Sequence, residues 1–151
     1  MPKLPTRIDL KNLYETDDHL WLEETIKLLN ANRLDELDVE NLIEELEYLG
    51  RKDKNQAESL LEQVIRHLLL LQYWSEESEN NAAHWEAEIE SFRTQLRRHL
   101  TTNLRQHLEQ ELNVIYQDAL RYVTKKTRLN IFPVTCPYTL EQLLDENRLP
   151  C

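Results

Sequence analysis

The chain has 151 residues with 28 Asp and Glu against 18 Lys and Arg, a formal net charge of −10, and a single glycine. That length fits one domain and buries roughly two-thirds of the surface of the unfolded chain, so no outside scaffold is required. The acidic balance favours solubility and works against non-specific binding to nucleic acid or anionic lipid.

The N-terminal "MPKLPTRIDLKNL" lacks the apolar stretch of a signal peptide, and the longest unbroken Leu/Ile/Val/Phe run, residues 68–71, is far too short to span a membrane. A soluble, cytoplasmic protein is expected. Cys136 and Cys151 are too few for a disulfide framework and lack the paired spacing of a zinc site, so both are read as free thiols. One glycine leaves little of the turn chemistry that hairpins need, while Leu, Glu, Gln, Arg and Ala lose little entropy in a helix. The predicted fold is all-α: a single-domain helical bundle of about five main helices and a short C-terminal one, over residues 14–151. Residues 1–13 are read as an extended arm.

The first helix is expected from Thr16 or Asp17, either of which can cap orphan N–H groups. Trp21, Thr25 and Leu28 line one side, with Leu22, Ile26 and Leu29 beside them. So wide an apolar face suggests more than one neighbour. A second helix starts at Asp38, with Leu37 and Leu42 as a hydrophobic staple and Leu42, Ile43, Leu46 and Leu49 as its core stripe. Gly50 and "RKDKN" predict a short break. A third helix, 56–74, carries Ala57, Leu60, Leu61, Val64, Ile65 and Leu68 and becomes apolar all round in "LLLLQYW", which marks it as central. "SEESENN" reads as a connection. The fourth helix has the stripe Trp85, Ile89, Phe92 and Leu96. The fifth has Leu104, Leu108, Leu112, Ile115, Ala119, Tyr122 and Val123. A short link should set these two antiparallel. Pro133 and Pro137 then stop helix formation, and Thr139 with Gln142 makes a capping box for a last helix at 140–145.

Three constellations could carry chemistry. Glu44, Glu45 and Glu47 in "IEELEYLG" cannot converge on one ion from one helix, because Glu44 points nearly opposite the stripe and the other two flank it. A divalent-metal site would need His67 and acids from elsewhere, with Asp17, Glu24 and Glu111 as candidates. No Glu-x-x-His pair occurs, and the competing reading is a solvated helix face beside a hydrogen-bonded core histidine. Glu111 sits at the edge of its stripe one turn after His107, so it must be paired with that histidine, protonated, or in reach of water. Residues 91–130 hold eight basic residues (Arg93, Arg97, Arg98, Arg105, Arg121, Lys125, Lys126 and Arg128) against three acids, leaving −15 on the remainder. Such a segment could attract phosphates or complement the acidic second helix. Cys136 could be a nucleophile only if a histidine reached it, and a small packing cysteine is the alternative. There is no Gly-x-Ser-x-Gly and no phosphate-binding glycine loop.

"YETDDHLWLEETIKLL", "LDELDVENLIEELEYLGR", "HLLLLQYW" and "FPVTCPYTLEQLLDENRLP", in that order, resemble the bacterial, largely cyanobacterial family called domain of unknown function twenty-nine. The likeness spans about residues 14–150. It implies an all-helical protein, and no established activity, ligand or catalytic residue comes with it.

The residues therefore favour a protein-interaction module, bound to an unidentified protein partner or to a second copy, with no cofactor. The alternatives are a metal-dependent hydrolase or nuclease using Glu44 or Glu47, His67 and Glu111, and nucleic-acid binding through the basic residues of 93–128.

Overall fold

The computed structural model describes residues 7–149. They form six α-helices: α1 (Arg7–Thr16), α2 (Asp18–Asn30), α3 (Val39–Tyr73), α4 (Ser75–His99), α5 (Thr102–Thr127) and α6 (Leu140–Leu144), with a 3₁₀ turn at Leu34–Glu36. No strand occurs among the described residues, and none of their helices is long and apolar enough to cross a membrane. The chain sorts into two compact units, Met1–Arg51 and Lys52–Cys151, where the sequence reading places one.

In the first unit, residues 7–13 are helical and not an extended arm. Helix α1 buries Leu10 and sets the Tyr14 ring edge-on to Trp21, with centroids 4.8 Å apart. Packing of this kind overrides what a ten-residue helix could hold alone. Residues 1–6 lie outside the described part. Asp17 caps α2, its carboxylate accepting from Leu20 N at 3.0 Å, and Thr25 donates to the Trp21 carbonyl at 2.7 Å. The chain leaves α2 through Asn32 in the left-handed region (φ 57°), which asparagine tolerates better than most residues. It enters α3 through buried Leu37 and Asp38.

Helix α3 runs unbroken for 35 residues through Gly50, so the expected break is absent. A glycine in a helix interior costs about 1 kcal/mol against alanine, too little to stop a segment rich in Glu, Leu, Arg, Lys and Gln. "SEESENN" is likewise helical, as the start of α4, with Glu76 and Glu77 in the first turn where the helix dipole favours carboxylates. Only Trp74 separates α3 from α4.

The second unit holds the main core. Ala57, Leu61, Val64, Ile65, Leu68, Leu69 and Leu70 of α3 pack with Trp85, Ile89 and Leu96 of α4 and with Leu108, Ile115, Tyr116, Ala119 and Val123 of α5. Of the apolar run "LLLLQYW", Leu68, Leu69 and Leu70 are buried, Leu71, Tyr73 and Trp74 are half-buried against the core, and Gln72 is exposed. Thr101 caps α5. Arg128 ends it in the left-handed region (φ 60°), its N–H donating to the Thr124 carbonyl. Phe132, Leu140 and Leu143 of the returning segment complete the core. The Thr139/Gln142 capping box forms as predicted.

Candidate functional site

Of the predicted carboxylates and histidine, Glu44 and Glu47 lie in the first unit and His67 and Glu111 in the second. Glu44 and Glu47 are exposed, and Glu45 accepts from the Tyr14 hydroxyl at 3.1 Å. His67 is half-buried; its Nδ1 lies 2.7 Å from the Gln63 carbonyl oxygen and its ring 5.4 Å from that of Phe92. The carbonyl has no proton, so Nδ1–H donates. Half-buried Glu111 has no ion pair with His107, whose Nε2 instead faces Glu58 Oε2 on α3 at 3.6 Å. No group of three His, Cys, Asp or Glu able to hold a metal occurs among the described residues.

Burial holds the His67 pKa below its ordinary value of 6.5, against a smaller opposite pull from the Gln63 hydrogen bond and Glu88. The unfolded chain therefore binds the proton more readily. Stability from this group is complete above about pH 6.5 and falls as pH drops from there towards the folded-state value. Melting temperature followed from pH 8 to pH 5 should decline less steeply in His67→Phe than in the wild type, and parallel curves would refute the assignment.

The basic segment is also divided. Arg93 is buried, donating from Nε to the Leu143 carbonyl (2.7 Å) and from its terminal nitrogens to those of Arg148 (2.8 Å) and Gln142 (3.3 Å). Arg97 pairs with Glu146. Arg121 lies 4.0 Å from Asp118, and Lys126 stands 5.9 Å from the Tyr122 ring centre. Arg98, Arg105 and Lys125 are exposed. Twenty positions along α5 separate Arg105 from Lys125, about 30 Å at 1.5 Å per residue.

A cleft of about 580 Å³ opens beside Arg93, lined also by Gln72, Tyr138, Asp145 and Arg148. The Arg93 charge there is turned to backbone carbonyls, and Asp145 opposes an anion. Nearby Cys136 donates its thiol hydrogen to the Tyr138 carbonyl at 3.3 Å, and burial raises its pKa, which disfavours the thiolate. Cys151 lies outside the described residues.

The feature that stands out is in the first unit. On the opening turns of α3 the inward positions are Asp38, Asn41, Leu42 and Glu45, with Asp38 fully buried. Its Oδ2 accepts from Asn41 at 2.6 Å, while Oδ1 has no hydrogen-bond partner among the described residues. The outward positions are Val39 (51% exposed), Ile43 (51%), Leu46 (59%) and Leu49 (46%). Most of the stripe expected in the core therefore faces out. On α2, Trp21 and Thr25 are buried but Leu22, Ile26 and Leu29 are not. The unit buries three large hydrophobic side chains, Leu10, Trp21 and Leu37, and exposes more than twice as many among its described residues.

The family model described as Domain of unknown function DUF29 matches residues 13–149. The chain belongs to this family. An alpha-helical protein of unknown function from Rhodospirillum rubrum, solved by crystallography, is similar to this DUF29 chain at 24% identity over 89% of this chain and 90% of that one, with a TM-score of 0.63. That likeness concerns the fold alone. No curated protein matches. Within this DUF29 chain, sequence reasoning located the apolar stripes but assigned them inward, since periodicity identifies a face without saying what covers it. The His107–Glu58 pair was missed because 49 positions separate the two in sequence.

Proposed function

We propose that this DUF29 protein is an interaction module whose binding surface is the apolar exterior of its first unit. One observation carries the reading: Asp38, at the entry to α3, is buried, while Val39, Ile43 and Leu46 of α3 turn outward. Burying a carboxylate is costly while exposed leucines forgo the gain of burial, so this orientation is favourable only if something covers the outward face. The largest contiguous apolar patch on a protein surface is often a functional one.

The test is a photo-crosslinking amino acid, p-benzoylphenylalanine, at position 46 of the full chain in cells. The expected result is a covalent adduct of discrete mass that disappears with Ile43→Glu. The same amino acid at exposed Val134 of the second unit is the control. Equal labelling at the two positions, or none at 46, would sink the proposal.

A further inference from the structure

We infer that the occupant of this surface is a second copy of the chain, which docks α3 antiparallel against α3 with Leu46 of one copy over Gly50 of the other. The inference rests on the interaction reading above and names the partner.

Gly50 is the first argument. It is the sole glycine of the chain, in the middle of a long helix, where glycine weakens the helix relative to alanine. Its φ is not positive, and a Cβ built there meets nothing within 4 Å. Nothing among the described residues requires glycine at this position. At about 100° per residue, Val39, Ile43, Leu46 and Gly50 fall on one line of α3, so the bare backbone lies on the outward apolar stripe. A glycine there lets another backbone come close. An antiparallel two-fold crossing near residue 48 sets each Leu46 against the partner's Gly50.

Charge fixes the direction. Along one flank of the stripe run Glu40, Glu44 and Glu47, followed by Arg51 and Lys54. Antiparallel helices set this flank against the same flank of the partner and so oppose the acids of one copy to the bases of the other, whereas parallel helices would set it against the partner's opposite flank and leave these charges unmatched. Within the chain the only ion pairs these residues make among the described ones are loose and exposed, Lys11 with Glu40 at 3.6 Å and Arg51 with Glu47 at 4.0 Å. Both leave the flank accessible.

Area fixes the strength. Burying a leucine-sized side chain removes about 60–120 Å², and Val39, Ile43, Leu46 and Leu49 of α3 are each about half exposed. Their covering removes roughly 200 Å² per copy, below the apolar share of a standard interface of about 800 Å² per partner. The dimer should therefore be a reversible one that dissociates on dilution.

Light scattering and sedimentation of the full chain, up to about 100 µM, test this together with the crosslink at position 46. A dimer is expected that weakens in about 0.5 M salt, as its flanking charges are screened. Gly50→Leu and Leu46→Glu should be monomeric with helicity unchanged. Gly50→Ala should separate the two roles of the position: a melting temperature a few degrees higher at low concentration, with dimerisation about tenfold weaker. Glu44→Lys with Glu47→Lys should weaken the dimer, and adding Arg51→Glu with Lys54→Glu should restore it. A dimer indifferent to Gly50→Leu and Leu46→Glu overturns the proposal. A monomer at all concentrations also overturns it. In that case an adduct at position 46 with a different protein leaves the interaction reading standing, and no adduct removes both.

Discussion

Replacing Arg93 with methionine should cost about 3–5 kcal/mol, the range for breaking a buried charged network, and lower the melting temperature by about 15 °C or more in a unit of this size. The guanidinium is 1% exposed and holds the carbonyls of Leu143, Arg148 and Gln142, all on the segment that closes the core of the second unit. Methionine fills similar volume but leaves those acceptors unpaired, at about 1–3 kcal/mol for each that stays dry. Lysine keeps the charge but not the planar fork, so Arg93→Lys should recover less than half of the loss. A chain ending at residue 145 removes the Arg148 carbonyl and the Arg97–Glu146 pair. Its effect should combine with Arg93→Met by less than the sum of the two, because they act on one network. Thermal and urea unfolding of the four variants measure this. A melting temperature for Arg93→Met within about 2 °C of the wild type would show that the clamp is not structural.

What could be read from the sequence follows the range of the forces involved. The helical class, the caps at Asp17 and Thr139 and the buried leucines 68–70 depend on residues within a turn or two of each other, and each is found in the structure. Gly50 and "SEESENN" were misjudged because a local penalty of about 1 kcal/mol is outweighed by the flanking helix formers and by packing. Arg93 was counted with a surface patch. Its carbonyl partners lie about fifty positions away, and a basic residue between Ile89 and Leu96 looks the same in sequence whether it reaches water or a distant backbone. The acids of "IEELEYLG" are on the wet side of α3 as the spacing required, apart from Glu45 and its bond to Tyr14. The apolar residues between them are largely wet too, which periodicity alone could not reveal.

Trp21→Ala should be the most damaging change in the first unit, at about 3–5 kcal/mol for an aromatic removed from a buried site. Trp21 is 1% exposed, stacks edge-on with Tyr14 and, among the described residues of the unit, is buried together with two other large hydrophobic side chains, Leu10 and Leu37. Its indole N–H has no hydrogen-bond partner among the described residues. Trp21→Phe should therefore cost much less, since it keeps most of the buried surface and removes a donor whose solvation is lost on folding. Amide exchange over residues 10–45 reads the difference: protection lost in Trp21→Ala and largely kept in Trp21→Phe. A unit with so small an interior gains in proportion from whatever covers its outer face, because a ligand that binds only the folded form adds stability with its concentration. If a second copy is that ligand, exchange over 10–45 in Trp21→Ala should slow as protein concentration rises, and Gly50→Leu in the same background should abolish the dependence. Concentration-independent exchange would mean that self-association contributes nothing to holding this unit together.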